Sequence, residues 1–591
     1  MSCRFPSRLL TRRLPFACLM LASVAPVVHA DPVTPDAGQL LNQQQRAGSL
    51  PLMPPKESAP AVTAPSDAAS TNGALSQELR ARIQQVRFSG AATLVPEADL
   101  QSVVQSALGR ELTHAQLQQL AQRVTQYLRE RGYVVARAYL PRQDLTDGVL
   151  TIEVLDGRLQ SSGERIVLKA DTRIDPSRLK AVAETALPRG EALRQKDLER
   201  AVLLMNDVPG VSARAVIERG EEPGTSRLGV SATQAPLQQV TLIGDNFGSR
   251  STGVPRLTSQ LRLLDPTGRG DALLFSVTLS ENTQALAASY STPLHPNGLQ
   301  ASVSATHLIY EVGGALAPLA LEGSATTAAL GLSYPVVRTR DRNLYAQALL
   351  EYKGLTDDAL GTNLRERRLN NLTLGVSGNA TDAVLGGGVS TASLNVTAGD
   401  VSLNGNPANK LADAKSAGTQ GGFTKLAFNL NRFQNLGISE DWIAFLGLSG
   451  QWSGDNLDSA EKFILGGPNG VRAYPIGEAA GDRGLLATLE VRRKVPMPWV
   501  DQAQLLLFID AGRVALNAQP WPGAVPTATE RNSYTLKGWG VGLNVAKDKW
   551  AVQSAVAARI GSNPGRAADG SDADGREGDV RAWLQATRRF D

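Results

Sequence analysis

From about residue 237 to the C-terminus the chain repeats one pattern: runs of about ten residues in which apolar and polar side chains alternate. Within and just past the run 482–494, for example, Leu489, Val491, Arg493 and Val495 alternate with Thr488, Glu490, Arg492 and Lys494. A period of two puts successive side chains on opposite faces of a strand, so each run reads as one strand with two chemically different faces. Sixteen runs can be placed, at 237–247, 256–265, 271–281, 284–292, 298–311, 326–336, 343–354, 366–378, 383–398, 422–435, 440–453, 482–494, 503–514, 536–547, 549–562 and 578–590. Connections after even-numbered runs are short, whereas those after odd-numbered runs are mostly long, up to the segments 399–421, 454–481 and 515–535. A soluble sandwich has no reason to gather its long loops at one end; a bacterial outer-membrane barrel does, with short turns in the periplasm and long loops outside. An even number of antiparallel strands also closes on itself and leaves no edge unpaired in lipid. Residues 235–591 are therefore expected to form a transmembrane β-barrel of 16 antiparallel strands in the outer membrane of a Gram-negative cell. The last run puts Val580, Ala582, Leu584, Ala586 and Phe590 on one face, with Asp591 following.

Ahead of the barrel the pattern is mixed and occurs twice. A strand over Ile83–Ser89 leads to a helical stretch, Glu97–Leu108, and to a second helix started by Thr113, in which Leu117, Leu120, Val124 and Leu128 recur at helical spacing. Gly132 ends that helix, and strand-like runs follow at Tyr133–Leu140 and Gly148–Leu155. The order then repeats as strand Arg165–Leu168, helices Asp175–Ala186 and Lys196–Asn206, and strands Val211–Glu218 and Ser226–Ser231. Two α+β units of order βααββ, 81–157 and 158–234, are the reading; one continuous α+β domain is the alternative.

Residues 1–30 read as a signal peptide: basic to Arg13, apolar from Leu14 to about Val28, with small residues before a cut after Ala30. Both cysteines, Cys3 and Cys18, lie inside it, which excludes a disulfide framework or a thiolate metal site in the exported chain. Arg4, Arg8, Arg12 and Arg13 supply the whole excess of 60 basic over 56 acidic residues, so no charge asymmetry points to nucleic acid. Residues 31–50 allow one short polar helix around Gly38–Ala47, a loose tail being the alternative, and 51–80 is a Pro/Ala-rich linker. No catalytic constellation stands out: HExxH, a Walker A lysine motif and GxSxG are all missing. His114, His295 and His307 lie far apart, placed on a helix surface, a periplasmic turn and the barrel wall. The expectation is a protein that is not an enzyme and has no cofactor, metal or catalytic residue.

The longest loop contains Leu465-Gly-Gly-Pro-Asn-Gly-Val-Arg-Ala-Tyr474, and the thirteenth run contains Phe508-Ile-Asp-Ala-Gly512. With these motifs the chain resembles the outer-membrane translocators of two-partner secretion, the haemolysin and filamentous-haemagglutinin transporters, within the superfamily that includes the barrel-assembly insertase. Val471, Arg472, Ala473 and Tyr474 match the VRGY signature of the long loop except for Ala473 in place of glycine. Phe508, Asp510 and Gly512 match the FxDxG signature of the barrel wall. Asp245-Asn-Phe-Gly248, Tyr290-Ser-Thr-Pro293 and Gly481-Asp-Arg-Gly484 are supporting matches. The resemblance implies an N-terminal plug helix in 31–50, two periplasmic POTRA domains, and type V secretion of an unfolded exoprotein partner of haemolysin or adhesin type. It also implies that the 28-residue loop 454–481 folds back into the lumen, where Arg472 meets Asp510. Further expected partners are outer-membrane lipid and, during biogenesis, the barrel-assembly machinery; the pore is expected to be monomeric, with no nucleic acid. An insertion factor for other barrels is the alternative function, and a passive porin leaves residues 83–232 without a purpose.

Overall fold

The computed structural model describes residues 35–46, 62–63 and 80–590, apart from 92–93, 162, 188, 223 and 526. The signal peptide expected at 1–30 and most of the linker lie outside the described residues.

Two separate apolar cores lie ahead of the barrel. In the first unit, helices α2 (Glu97–Val104) and α3 (His114–Glu130) cover a three-stranded sheet of Gln85–Gly90, Val149–Leu155 and Arg137–Tyr139, with Val149–Leu155 in the middle. Thr113 starts α3 by a reciprocal cap: its hydroxyl accepts from Gln116 N at 3.3 Å, and Gln116 Oε1 accepts from Thr113 N at 2.8 Å. The helix buries Leu117, Leu120, Val124 and Leu128 against Leu150, Ile152 and Val154, the inward half of the central strand. The strand expected at Tyr133–Leu140 is reduced to Arg137–Tyr139. Gly132 turns the chain at φ +90°, and Val134 and Val135 pack against the core of the second unit instead of joining the sheet. Apolar side chains spent on a domain contact thus imitate a strand in the sequence.

The second unit repeats the order with α4 (Pro176–Ala186) and α5 (Gln195–Asn206) on a sheet of Ile166–Asp171, Ser226–Gln234 and Val211–Arg219. Asp175 caps α4, accepting from Ser177 N at 2.9 Å, and this bond holds its carboxyl below the usual range. Along the free edge of Val211–Arg219, Val62–Thr63 pairs in parallel with Ala215 and Val216.

Among the described residues sixteen strands close into an antiparallel barrel, the first of which, Gln238–Asp245, pairs with the last, Val580–Phe590, from Val240 with Phe590 to Asp245 with Gln585. Leu505, Leu507 and Ile509 face outward and are exposed, whereas Leu506, Phe508 and Asp510 face inward and are buried. Each run placed in the sequence is a strand, and three of them, Leu321–Arg338, Arg342–Ala359 and Thr362–Asp382, are longer than expected by six residues or more. The segment 355–365, expected as a loop, is a tight hairpin with Leu360 at φ +50° and Gly361 at φ +73°. Its strands rise beyond the apolar band, where Asp357, Asp358, Arg365 and Arg367 replace the alternation that marks a lipid-facing strand.

The second unit sits on three periplasmic turns of the barrel. Arg338 holds Asp207 through two bonds of 2.8 and 2.7 Å and also donates to Asn343 Oδ1 at 2.9 Å. Arg200 donates to the carbonyl of Pro335 at 3.1 Å. Gly298 and Gly270 leave room for Leu204 and Val208: a Cβ added at either would come within 2.7 Å of the first or 2.4 Å of the second. Arg338→Ala is expected to cost this seat about 1–2 kcal/mol, which amide exchange at α5 would report as a roughly tenfold faster opening with barrel heat-modifiability unchanged.

Candidate functional site

The long loop leaves the strand Trp442–Ser453 and returns at Arg483 without leaving the barrel. Asp458 caps a single turn, Ser459–Glu461, accepting from Ala460 N at 2.9 Å. Phe463–Ile464 then pairs with Ala480–Gly481, making the loop a narrow hairpin. Two wall contacts hold its stem, Arg367 to Asp458 at 3.0 Å and Glu461 between Lys353 at 2.7 Å and Lys425 at 2.5 Å, and Lys462 pairs across the stem with Asp482 at 2.5 Å. All three acids are almost fully buried.

At the tip, Val471 N bonds back to Leu465 O at 2.8 Å and Gly470 N to Gly467 O at 3.0 Å. Gly470 has no room for a side chain, since an added Cβ would lie 2.1 Å from the Leu465 carbonyl oxygen. This tight turn projects Arg472 at the wall. Its Nε and Nη2 donate to Asp510 Oδ2 and Oδ1, each at 2.9 Å, and its main-chain N donates to Oδ2 at 3.1 Å. The remaining terminal nitrogen donates to Glu490 Oε1 at 2.7 Å. The guanidinium lies 3.4 Å from the ring centroid of Phe508, and the Arg472 carbonyl accepts from the indole N–H of Trp583 at 2.7 Å. Thr488 donates to Asp510 at 3.0 Å, and Glu490 is held on its other side by Arg492 at 2.6 Å. A barrel of this width is expected to be wet, but the loop fills this side of it: Arg472 is 6% exposed at its side chain, Glu490 2% and Asp510 0%.

The other motif residues make the approach possible. A Cβ on Gly512 would come within 2.2 Å of Leu465 Cδ1, so glycine there admits the loop to the wall. Val471 and Tyr474 are fully buried, and Arg559 stacks over the Tyr474 ring at 4.7 Å. Ala473 has no left-handed backbone, so alanine fits where the signature has glycine; its methyl is received by Gly538, whose added Cβ would lie 2.6 Å away. Glu490 and Trp583 were not singled out from sequence, although Glu490 is an inward-facing acid in the middle of a strand and so carried a readable signal.

Helix α1 (Ala37–Arg46) lies inside the barrel against the loop stem. Its first residue donates to Asp357 Oδ1 at 2.7 Å, and Asp36 accepts from Ser459 Oγ at 2.7 Å. Asn42 donates to the Lys462 carbonyl at 2.7 Å, and Asn469, beside the loop tip, donates to the carbonyl of Arg46 at 2.9 Å. Gly38 is the closest point: an added Cβ would be 2.4 Å from Ser459 Oγ and 2.8 Å from Ala460 N. The plug and the loop therefore occupy the lumen as one packed unit. The histidines take no part: His114 opens α3, His295 lies in a periplasmic turn, and His307 bonds Thr326 at 2.9 Å on the barrel wall.

Residues 224–545 match the family model described as haemolysin secretion/activation protein ShlB/FhaC/HecB, and residues 81–157 match the ShlB-type POTRA domain. The chain is 28% identical over 502 residues to the heme/hemopexin transporter protein HuxB of Haemophilus influenzae (strain 86-028NP), covering 82% of this chain and 85% of that one. It is 26% identical over 484 residues to the outer membrane transporter CdiB of Dickeya dadantii (strain 3937), covering 80% and 81%. Among solved structures, CdiB from Escherichia coli superposes with a TM-score of 0.67 at 20% identity, covering 96% of this chain and all of that one, which establishes likeness of fold. The matched family, the closed barrel and the POTRA unit agree, and the chain belongs to the ShlB/FhaC/HecB family of outer-membrane transporters that secrete an exoprotein by the two-partner route.

Proposed function

We propose that Arg472 is the latch of this transporter, holding the long loop across the lumen at rest and releasing it when an unfolded exoprotein enters from the periplasm. The observation that carries this reading is the set of four hydrogen bonds from one loop arginine to two wall carboxylates with almost no exposure to water. In such a site the ionic partners hold a position strongly, yet they separate once water or a polar chain replaces them. The plug helix α1 closes what the loop leaves open, and the two must shift together because Gly38 and Ser459 share one contact.

The client is a secreted exoprotein of haemolysin or adhesin type, received by the two βααββ units in the periplasm. What supports this is sheet edge geometry: along the edge strand Val211–Arg219 the extended Val62–Thr63 already adds in parallel at Ala215 and Val216, so that edge receives an extended segment by main-chain hydrogen bonds. The relatives named as a heme/hemopexin transporter and as outer membrane transporters are consistent with a transport role. The pore works as a monomer whose own assembly depends on the barrel-assembly machinery; the sixteen described strands close the barrel within one chain, so the pore needs no strand from a second copy. The chemistry is conduction.

Cells carrying this protein are expected to release one large exoprotein that disappears from the medium on its deletion, with the other outer-membrane barrels at normal levels; a joint fall of many barrels contradicts the reading. In Arg472→Ala, Asp510 and Glu490 lose their shared partner at a cost of about 3–5 kcal/mol in this dry site. The barrel should remain folded and heat-modifiable while secretion drops by more than roughly tenfold. Gly38→Leu should expel α1 from its seat and raise the single-channel conductance of the full-length protein in planar bilayers, with the same folded barrel.

A further inference from the structure

A cavity of about 1310 Å³ opens at the periplasmic end of the lumen, on the wall formed by Gly421–Asn435, Trp442–Ser453 and the four strands from Arg483 to Arg559. Its lining mixes apolar groups, Phe433, Met497 and Val500 among them, with the inward amides of Gln504, Asn544 and Gln553. Gln553 is 6% exposed, and its Nε2 has no hydrogen-bond partner. At the inner end Arg492 lies against the paired rings of Phe433 and Phe445, at 5.1 and 4.9 Å from their centroids, and pairs with Glu490. Beyond this stack a second cavity of about 420 Å³ runs under the loop tip, touching Phe445, Glu490, Arg472 and Asn469. The two cavities lie in series from the periplasm to the latch, separated by one arginine and two rings.

The plug is on the other side. Helix α1 is bound to Asp357 on Arg342–Ala359 and to Thr278 on Ala272–Leu279, strands from the opposite half of the barrel, and Asp357 lies near its extracellular end. The large cavity is therefore open to the periplasm with the plug seated.

Resting on the reading that the exoprotein passes through the lumen, we propose that this cavity is its first docking site inside the barrel and that it is occupied before the plug leaves. The occupant is an extended segment with aromatic or long apolar side chains. Those side chains lie against Phe433, Met497 and Val500, while Gln504, Asn544 and Gln553 supply amide donors and acceptors to its main chain, a pairing indifferent to sequence. Arg492 closes the inner end of the site, offering a cation–aromatic surface where the segment turns toward the latch.

The test uses the absence of cysteine after Cys18. Gln44→Cys with Thr278→Cys, at positions whose side chains meet at 2.9 Å in the seated plug, tethers α1 to the barrel wall when both thiols are oxidised onto a short bis-thiosulfonate linker. In the full-length protein a photoreactive benzoylphenylalanine replaces Met497 in the cavity or, as control, Leu350 on the outer face, which is 54% exposed. The probe is the exoprotein identified by the deletion experiment above. With the tether oxidised, secretion should stop while the cross-link from position 497 persists at the yield of the reduced protein, and Phe433→Ala should lower that yield at least threefold with the barrel still heat-modifiable. Loss of the position-497 cross-link on oxidation, or equal yields at positions 497 and 350, overturns the proposal. Failure of the reduced, untethered protein to secrete overturns the transport reading beneath it.

Discussion

One arginine with two acids determines what the inside of this barrel looks like. Arg472 reaches Asp510 and Glu490 only if the loop tip is turned tightly, which demands Gly470, and only if the loop lies flat on the wall, which demands Gly512. Once there, the loop brings its stem into reach of Lys353, Lys425 and Arg367, and the stem in turn builds the surface on which α1 rests. The acids of the wall are buried by the loop that neutralises them. Taking away the arginine leaves them uncompensated, so the position of the loop and the charge state of the wall are one property.

This arrangement suits a pore that must be closed at rest and wide when in use. An apolar plug would be held by area and would leave slowly; polar contacts across a lumen exchange for water or for a passing main chain with little net change. The plug and stem follow the same rule, since α1 is held by Asp357, Ser459, Lys462 and Asn469 through hydrogen bonds and buries few apolar side chains beyond Leu40 and Leu41. Outside the barrel the logic reverses: the two α+β units have closed apolar cores, and the second is seated on the turns by the Arg338 and Asp207 pair.

The barrel was legible because lipid and lumen impose opposite demands on alternate residues, and each strand carries that record in its own few residues. Where the strands rise above the membrane the record stops, which is why 355–365 read as a loop while forming the hairpin that holds the plug through Asp357 and Arg367. Tyr133–Leu140 misled in the other direction, since Val134 and Val135 are apolar for a neighbouring domain's sake. Arg472 and Asp510 were legible through a resemblance of motif. Glu490 carried a signal only as an inward acid on the strand beside that of Asp510, and Trp583 comes from 111 positions beyond Arg472 across the curved sheet, a meeting that no local pattern marks.

The central claim is that Arg472 and Asp510 act as one element, and a double-mutant cycle on secretion tests it most directly. Exoprotein release is measured for Arg472→Ala, Asp510→Ala and the double variant, each at equal levels of heat-modifiable barrel. The account predicts that the double variant secretes no less than the worse single one, because the second substitution removes a partner already lost. Losses that multiply, as for independent sites, would contradict it.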